Sequence, residues 1–304
     1  MAENGLAVLA VTGCDPDHSD VAAVHAAVRR YQSVSGAVLA NGLTVLCRET
    51  QRGGFDPSSL GKVALVAMDD RYNHPDTMGK AMDILITLPW DTELRRTLVV
   101  CGARTTISKF VDVHTFWPHD VVEGACDVLA ELLPVEIPAW ITTPAMSAKL
   151  MGVARHDYPK GGRVDMSRLI AILCTDEVVR AELVANGACE VVATQLAANA
   201  HGDRESIYSL LALLAVARDG RSTAAHLGIL GACGTIFRVI RNTLDDLCDT
   251  YTREDTEAAV ADTVCALAVV PANRQRFRSA GLVKVAEENK MDASIVHRMK
   301  TAIE

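Results

Sequence analysis

Four apolar stretches of this chain share one rhythm, and it restricts the fold more than any other feature. In each, an apolar run breaks at a short polar turn. A charged amphipathic run follows, then a glycine, then a second apolar run. The stretches are residues 82–111, 168–196, 209–240 and 262–288. They open at Asp83, Arg168, Ser209 and Asp262, and their glycines are Gly102, Gly187, Gly231 and Gly281. Opener and glycine lie 19, 19, 22 and 19 residues apart. Self-similarity at a period of about 42 residues is the mark of a stacked repeat. The 85-residue gap from Gly102 to Gly187 holds two periods, so it should hide a copy. Asp127 opens DVLAELLP inside it, and 19 residues on stands Met146 beside Pro144, so this copy has lost its glycine. Gly61, 41 residues before Gly102, marks an earlier copy, preceded by the apolar run GAVLANGLTVLCRE.

The repeating units read as helices. Aromatics are only 4% of the 304 residues, and the apolar load is Ala, Leu and Val; Ala and Leu are strong helix formers, whereas strands draw on aromatic and β-branched residues. The run before each break is apolar on nearly all sides except one stripe, as in a helix buried between neighbours. The glycine ends a helix in left-handed geometry. One unit has nothing to cover its apolar face, so units must stack.

The runs LAVVPANRQRFRSAGLVKV and LCTDEVVRAELVANGACEVV resemble armadillo repeats. Asn273, Arg274, Phe277, Ala280 and Gly281 match the stretch after that family's third helix well; Arg180, Leu183, Asn186 and Gly187 match it in part, and Leu230 and Gly231 weakly. The resemblance implies an all-α, right-handed α-solenoid of about six to seven armadillo-like repeats, each needing its neighbours. It is expected as a single solenoid over 1–304, with 1–37 an irregular N-terminal unit, 38–288 the repeats and 289–304 a C-terminal capping helix. It also implies a non-catalytic scaffold that binds a partner along the groove lined by third helices. The groove residues would be Asp83 and Thr87, Asp127 and Glu131, Arg168 and Ile172, Ser209 and Leu213, and Asp262 and Ala266. Importin-type members carry a Trp and Asn ladder at such pairs. None of these residues is Trp or Asn, which argues against a nuclear-import receptor.

Charge bears on the partner. The net charge is −8, with 30 basic and 38 acidic side chains. Nucleic-acid binding is disfavoured, because it draws on a basic surface that releases counterions. Residues 1–150 carry 12 basic and 18 acidic side chains, and Asp83, Asp127 and Glu131 would line that half of the groove. A protein or peptide partner of basic or mixed charge is therefore expected. The alternative is a structural subunit of a large cytoskeletal or axonemal assembly. Phe116 and Trp117 are candidate partner anchors, since Trp is favoured at interface hot spots, and Trp140 is a further loop aromatic. The nine cysteines are widely spaced with no C-x-x-C pair, so they read as reduced thiols, and a cytoplasmic location is expected. The N-terminal run lacks a basic region for a signal peptide, and no stretch suffices for a membrane span.

No motif commits the chain to catalysis, a cofactor or a metal. Residues 53–62, GGFDPSSLGK, place Asp56 where a phosphate-binding loop needs its first Gly, and Val63 where it needs a hydroxyl. The glycines of GILGACG are spaced G-x-x-G-x-x-G and read as helix turns. His114, His119 and Asp120 lack a further strong ligand at helical spacing. The acidic stretch 243–257 lengthens one repeat and could contact a partner, and Arg274, Arg276 and Arg278 form a small basic cluster that could pair with it.

Overall fold

Polar breaks read from the sequence are helix boundaries in the computed structural model. It describes residues 43, 56–70, 75–112, 114–135, 143–158, 163–200, 204–243 and 253–304. The described residues fall into two compact units, one within 1–136 and 156–164, the other within 137–155 and 165–304. No β-strand occurs among them. The expected N-terminal unit 1–37, Trp140 and positions 244–252 of the acidic stretch lie outside the described residues, as does most of GAVLANGLTVLCRE.

The first unit contains α1 (Pro57–Asp70), α2 (Pro75–Thr87), α3 (Thr92–Val100), α4 (Ala103–Asp112) and α5 (His119–Leu132). Helices α3, α4 and α5 form one three-helix repeat, and α2 is the third helix of the repeat before it. Helices α2 and α5 pack side by side, with α1 against α2 and α4 against α5. The core between them holds Met78, Met82, Leu85, Leu98, Phe110 and Leu129.

The second unit begins with α6 (Pro144–Arg155) and α7 (Ser167–Leu173). Three full repeats follow. They are α8 (Glu177–Ala185), α9 (Ala188–Ala198) and α10 (Arg204–Ala217); α11 (Arg221–Ile229), α12 (Ala232–Thr243) and α13 (Arg253–Ala268); and α14 (Pro271–Ala280), α15 (Leu282–Glu288) and α16 (Ala293–Ile303). The third helices α7, α10, α13 and α16 stack in one row, each touching the next. Behind them α9, α12 and α15 form a second row. Leu210, Leu213 and Val216 of α10, and Val260, Val264 and Leu267 of α13, are buried between the rows. Helix α16 lies in the segment expected to cap the array, with Val296, Met299 and Ile303 buried and Ser294, His297 and Thr301 exposed.

Local chemistry sets the turns. The Asp91 side chain accepts the Leu94 N–H at 2.7 Å, and Asp176 accepts those of Val178 and Val179 at 2.9 and 3.0 Å. These caps satisfy amides that the helix leaves unpaired, and each contributes about 1 kcal/mol. Asp56, the acid that spoils the phosphate-loop pattern, accepts the Ser59 N–H at the start of α1. Its pKa is lowered, chiefly by hydrogen bonds from the Ser58 and Ser59 hydroxyls.

Gly102, Gly187, Gly231 and Gly281, singled out by spacing, have φ of 85, 87, 91 and 70°. Each joins the first helix of a repeat to the second. A side chain there would meet the left-handed penalty of about 1–2 kcal/mol. Gly61 is different. It lies inside α1, where a Cβ would stand 2.7 Å from a Leu98 methyl carbon, so it is a packing glycine and not a turn glycine. The copy without a glycine starts α6 directly at Pro144, whose fixed φ suits a first helical position.

Gly228 shows how closely repeats approach. Asn273 of the following repeat is fully buried, and its amide donates to the Ala224 carbonyl at 2.7 Å and the Leu267 carbonyl at 3.1 Å. A Cβ on Gly228 would fall 1.7 Å from its Oδ1. Gly228→Ala must displace this anchored amide, whereas Gly231→Ala has open space and meets only backbone strain. We expect Gly228→Ala to cost about 2–3 kcal/mol and Gly231→Ala about 1–2 kcal/mol, read from urea unfolding of the whole chain. Equal losses would refute the assigned contact.

Candidate functional site

The third helices of the second unit share one exposed face. In the second unit, α10 is flanked by α7 and α13 and backed by α9 and α11. One stripe of each third helix stays half-exposed or exposed at helical spacing: Arg168, Ile172 and Thr175; Leu211, Ala215 and Arg218; Asp262, Ala266 and Val269. Together these stripes form the front of the unit. Ile172, Ala215 and Ala266 make an apolar row across it, with Arg168 and Asp262 flanking Leu211 on one side and Arg218 on the other.

The alignment of this front corrects one sequence expectation. Counting back eight residues from Asp91, Asp176 and Val270 reaches Asp83, Arg168 and Asp262. After α10 the N-cap is Gly220, and the half-exposed position matching Arg168 and Asp262 is Leu211, nine residues back, not Ser209. That step is one residue longer than in the other repeats, although Gly220, with φ of 143°, stands 11 residues before Gly231, just as Asp91, Asp176 and Val270 stand 11 before their glycines. Ser209 is fully buried. Its hydroxyl is 3.0 Å from that of Ser167 and accepts from the Asn199 amide at 3.1 Å. The Ser167 hydroxyl also lies 3.0 Å from Gln195 Oε1, and Asn199 donates to Asp165 at 2.5 Å. Ser209 thus belongs to a polar network between repeats and does not line the groove. Leu213 is buried as well.

The remaining groove positions have defined surroundings. The Arg168 guanidinium lies over the Tyr208 ring, 5.4 Å from its centre. Asp262 pairs with Arg298 of α16 at 2.9 Å, both nearly half exposed. In the first unit, Asp83 pairs with Lys80 at 2.9 Å on the surface. The Thr87 hydroxyl donates to the Asp83 and Ile84 carbonyls at 3.0 and 2.9 Å. Asp127 is half-buried on α5. Glu131 departs from the expected acidic lining: Arg95 of α3 holds it at 2.7 Å, with only 13% of its side chain exposed. It ties two helices of one repeat together, so its charge is neutralised locally.

The paired anchors separate. Phe116 is 82% exposed, but Trp117 is buried against Phe110, ring centres 5.1 Å apart. Trp117 holds the 3-10 turn His114–Phe116 in place and is not an exposed anchor. His119 sits 3.7 Å from Glu123 and edge-on to Tyr158. Among the described residues no three His, Cys, Asp or Glu side chains are grouped to hold a metal ion. The basic cluster is partly used internally: Arg276 donates to Asn273 Oδ1 at 2.7 Å, and Arg278 donates to the Ile303 and Glu304 carbonyls at the end of α16. Where the acidic stretch ends, Glu257 is buried, pairs with Arg253 at 2.8 Å and accepts the Asp292 N–H at 2.8 Å. The longer-range contacts here, Ser167 to Ser209, Arg278 to Ile303 and Asp292 to Glu257, had no sequence signal beyond residue type, because their partners lie 25 to 42 positions away.

The thiols follow burial. Cys126, Cys174, Cys189 and Cys233 are buried thiols outside any disulfide, and Cys101 is exposed. Burial pushes the Cys174 thiol up to about 12 and those of Cys189 and Cys233 to about 11. A thiolate formed there would lose its hydration, so these groups are poor nucleophiles at neutral pH.

No family model and no curated protein matches the chain. Solved structures do. The crystal structure of an engineered protein superposes with a TM-score of 0.62 at 15% identity, covering 98% of this chain and 73% of that one. A second engineered protein gives 0.55 at 14% identity, over 80% of this chain and 98% of the other. A computationally designed armadillo repeat protein, made for modular peptide recognition, gives 0.53 at 13% identity with the same coverages. At such identities the likeness concerns the fold, and the fold is an armadillo-like helical repeat.

The raised thiols have a consequence for stability. Unfolded, they titrate near 9.0, and folded near 11 to 12. The folded state therefore holds more protons between these values, and stability present below pH 9 is lost as pH rises above it. Urea midpoints should fall from pH 8.5 to 10.5, and this fall should shrink in a Cys174→Ala, Cys189→Ala, Cys233→Ala triple variant. At pH 8, mass spectrometry should find iodoacetamide on Cys101 well before it reaches these three; equal labelling would contradict their burial.

Proposed function

We propose that this chain is a non-catalytic protein-interaction scaffold, which presents the front of its third helices to a partner protein or peptide. The observation that carries this reading is the apolar middle of the front in the second unit, where Ile172, Leu211, Ala215 and Ala266 stay partly exposed although the helices beneath are fully packed. The likeness to a repeat protein designed for peptide recognition supports it at the level of the fold. Because fold alone does not fix function, the front is the better witness. Buried thiols outside any disulfide support a reducing compartment, and we place the protein in the cytoplasm.

A second reading rests on different residues. Val100 is 86% exposed, Phe116 82% and Ile229 73%, each beside a turn and none on a third helix. Large apolar groups at turns suit a subunit held permanently in an assembly, such as a cytoskeletal one.

Photo-crosslinking distinguishes the readings. A benzophenone amino acid is placed at Thr175 or Arg218 on the front, at Ile229 on a turn, or at Lys284 on α15 of the second row, in the native cell. The scaffold reading expects discrete protein adducts from the front positions and none from Lys284. Adducts from Ile229 alone, with a chain that is insoluble without its partners, would replace it with the subunit reading.

A further inference from the structure

The front of the second unit carries both an apolar strip and an excess of one charge. On its three stripes the described charges are Arg168, Arg218 and Asp262, and Arg298 reaches over from α16 to pair with Asp262. The balance is three guanidinium groups against one carboxylate. Arg218 is exposed at the end of its stripe, one helical turn from the apolar Ala215. This is opposite in sign to the groove charge expected from the acidic N-terminal half of the sequence.

The hydrogen-bonding chemistry of the strip is equally selective. An extended peptide laid on a surface brings its backbone N–H and C=O groups with it. Each one desolvated without a partner costs about 1–3 kcal/mol. No Asn, Gln or Trp stands on the three stripes, and their central residues are Ile172, Leu211, Ala215 and Ala266. These side chains offer no hydrogen bonds to a peptide backbone. A helical ligand pairs its own backbone groups internally, and an apolar stripe at helical spacing matches an apolar groove. The two alanines at the middle of the strip, Ala215 and Ala266, leave room for the larger side chains of such a stripe.

Resting on the scaffold reading, we infer that the front of the second unit binds an amphipathic α-helix of a partner protein, apolar toward Leu211 and Ala215 and with carboxylates toward Arg168 and Arg218. Burial of the stripe drives association, and the carboxylates fix orientation and partner choice more than affinity.

The test is a display selection on the whole chain with two peptide pools. One pool is built on a helix-stabilised scaffold with randomised surface positions; the other has the same composition and length but is kept extended by interspersed prolines. We expect the helical pool to enrich, with Asp and Glu flanking an apolar i, i+3, i+7 stripe. Binding of an enriched peptide should weaken at least tenfold on Arg218→Glu and on Leu211→Asp, and should weaken with added salt. Arg218 is exposed, so its variant keeps the test valid where Leu211→Asp perturbs folding, which circular dichroism monitors. Enrichment of extended peptides whose binding is lost on Arg218→Glu would overturn the helix inference and leave the scaffold reading standing. Enriched helices that are basic, or that bind both variants unchanged, would also overturn it. Failure of both pools to enrich would count against the inference and the scaffold reading together.

Discussion

Every other feature of the second unit depends on third helices being covered on two sides by other third helices. Helix α10 buries Leu210, Ala212, Leu213 and Val216, yet no single neighbour covers them all. Its flanks are closed by α7 and α13, and its back by helices of its own repeat and the next. A third helix removed from this row would expose apolar surface worth roughly 1.5–3 kcal/mol per large side chain. Helix α16 is the contrasting case: one side packs through Val296, Met299 and Ile303, and its other side is polar. Stability in such an array belongs to interfaces more than to repeats.

Apolar packing alone leaves the relative position of two stacked helices loosely specified, because Leu, Val and Ala surfaces slide over one another at little cost. Buried polar groups remove that freedom. The Ser167 and Ser209 hydroxyls meet 3.0 Å apart, and both are fully buried. Sliding α7 past α10 by a turn would break the bonds from Ser167 to Ser209 and Gln195 and leave the Ser167 hydroxyl unpaired in a dry environment. Asn273 acts in the same way between α14 and the repeat before it, where Gly228 leaves room for its amide.

What the sequence made legible was local, and what it concealed was long-range. A glycine that closes one helix, or an aspartate that caps the next, acts on amides a few residues away. Gly102, Gly187, Gly231 and Gly281 therefore mark their turns, and Asp91 and Asp176 their helix starts. Groove positions follow from the same grid only while no residue is inserted. In the repeat of α10 the step from the exposed stripe to the N-cap is one residue longer, so the grid misses Leu211, and Ser209 sits in the polar core instead. Glu131 and Trp117 escape the sequence for another reason. A carboxylate or indole reads the same on paper whether it faces solvent or a neighbour, and their neighbours, Arg95 and Phe110, are brought to them by tertiary packing.

The same division separates folding from recognition. Positions dictated by the repeat, such as Phe277, Asn273 and the turn glycines, are buried or conformationally constrained, so a partner cannot read them. Positions on the front stripes touch the core only partly, and the packing of the row tolerates many residue types there. That freedom is why Arg, Leu and Asp occupy equivalent places at 168, 211 and 262. In an importin-like groove these places would carry amides and indoles that grip an extended backbone. Here they carry guanidinium, aliphatic and carboxylate groups. Exchanging front residues should therefore alter partner choice with little change in stability, whereas changes at Asn273 or Gly228 should act on stability first.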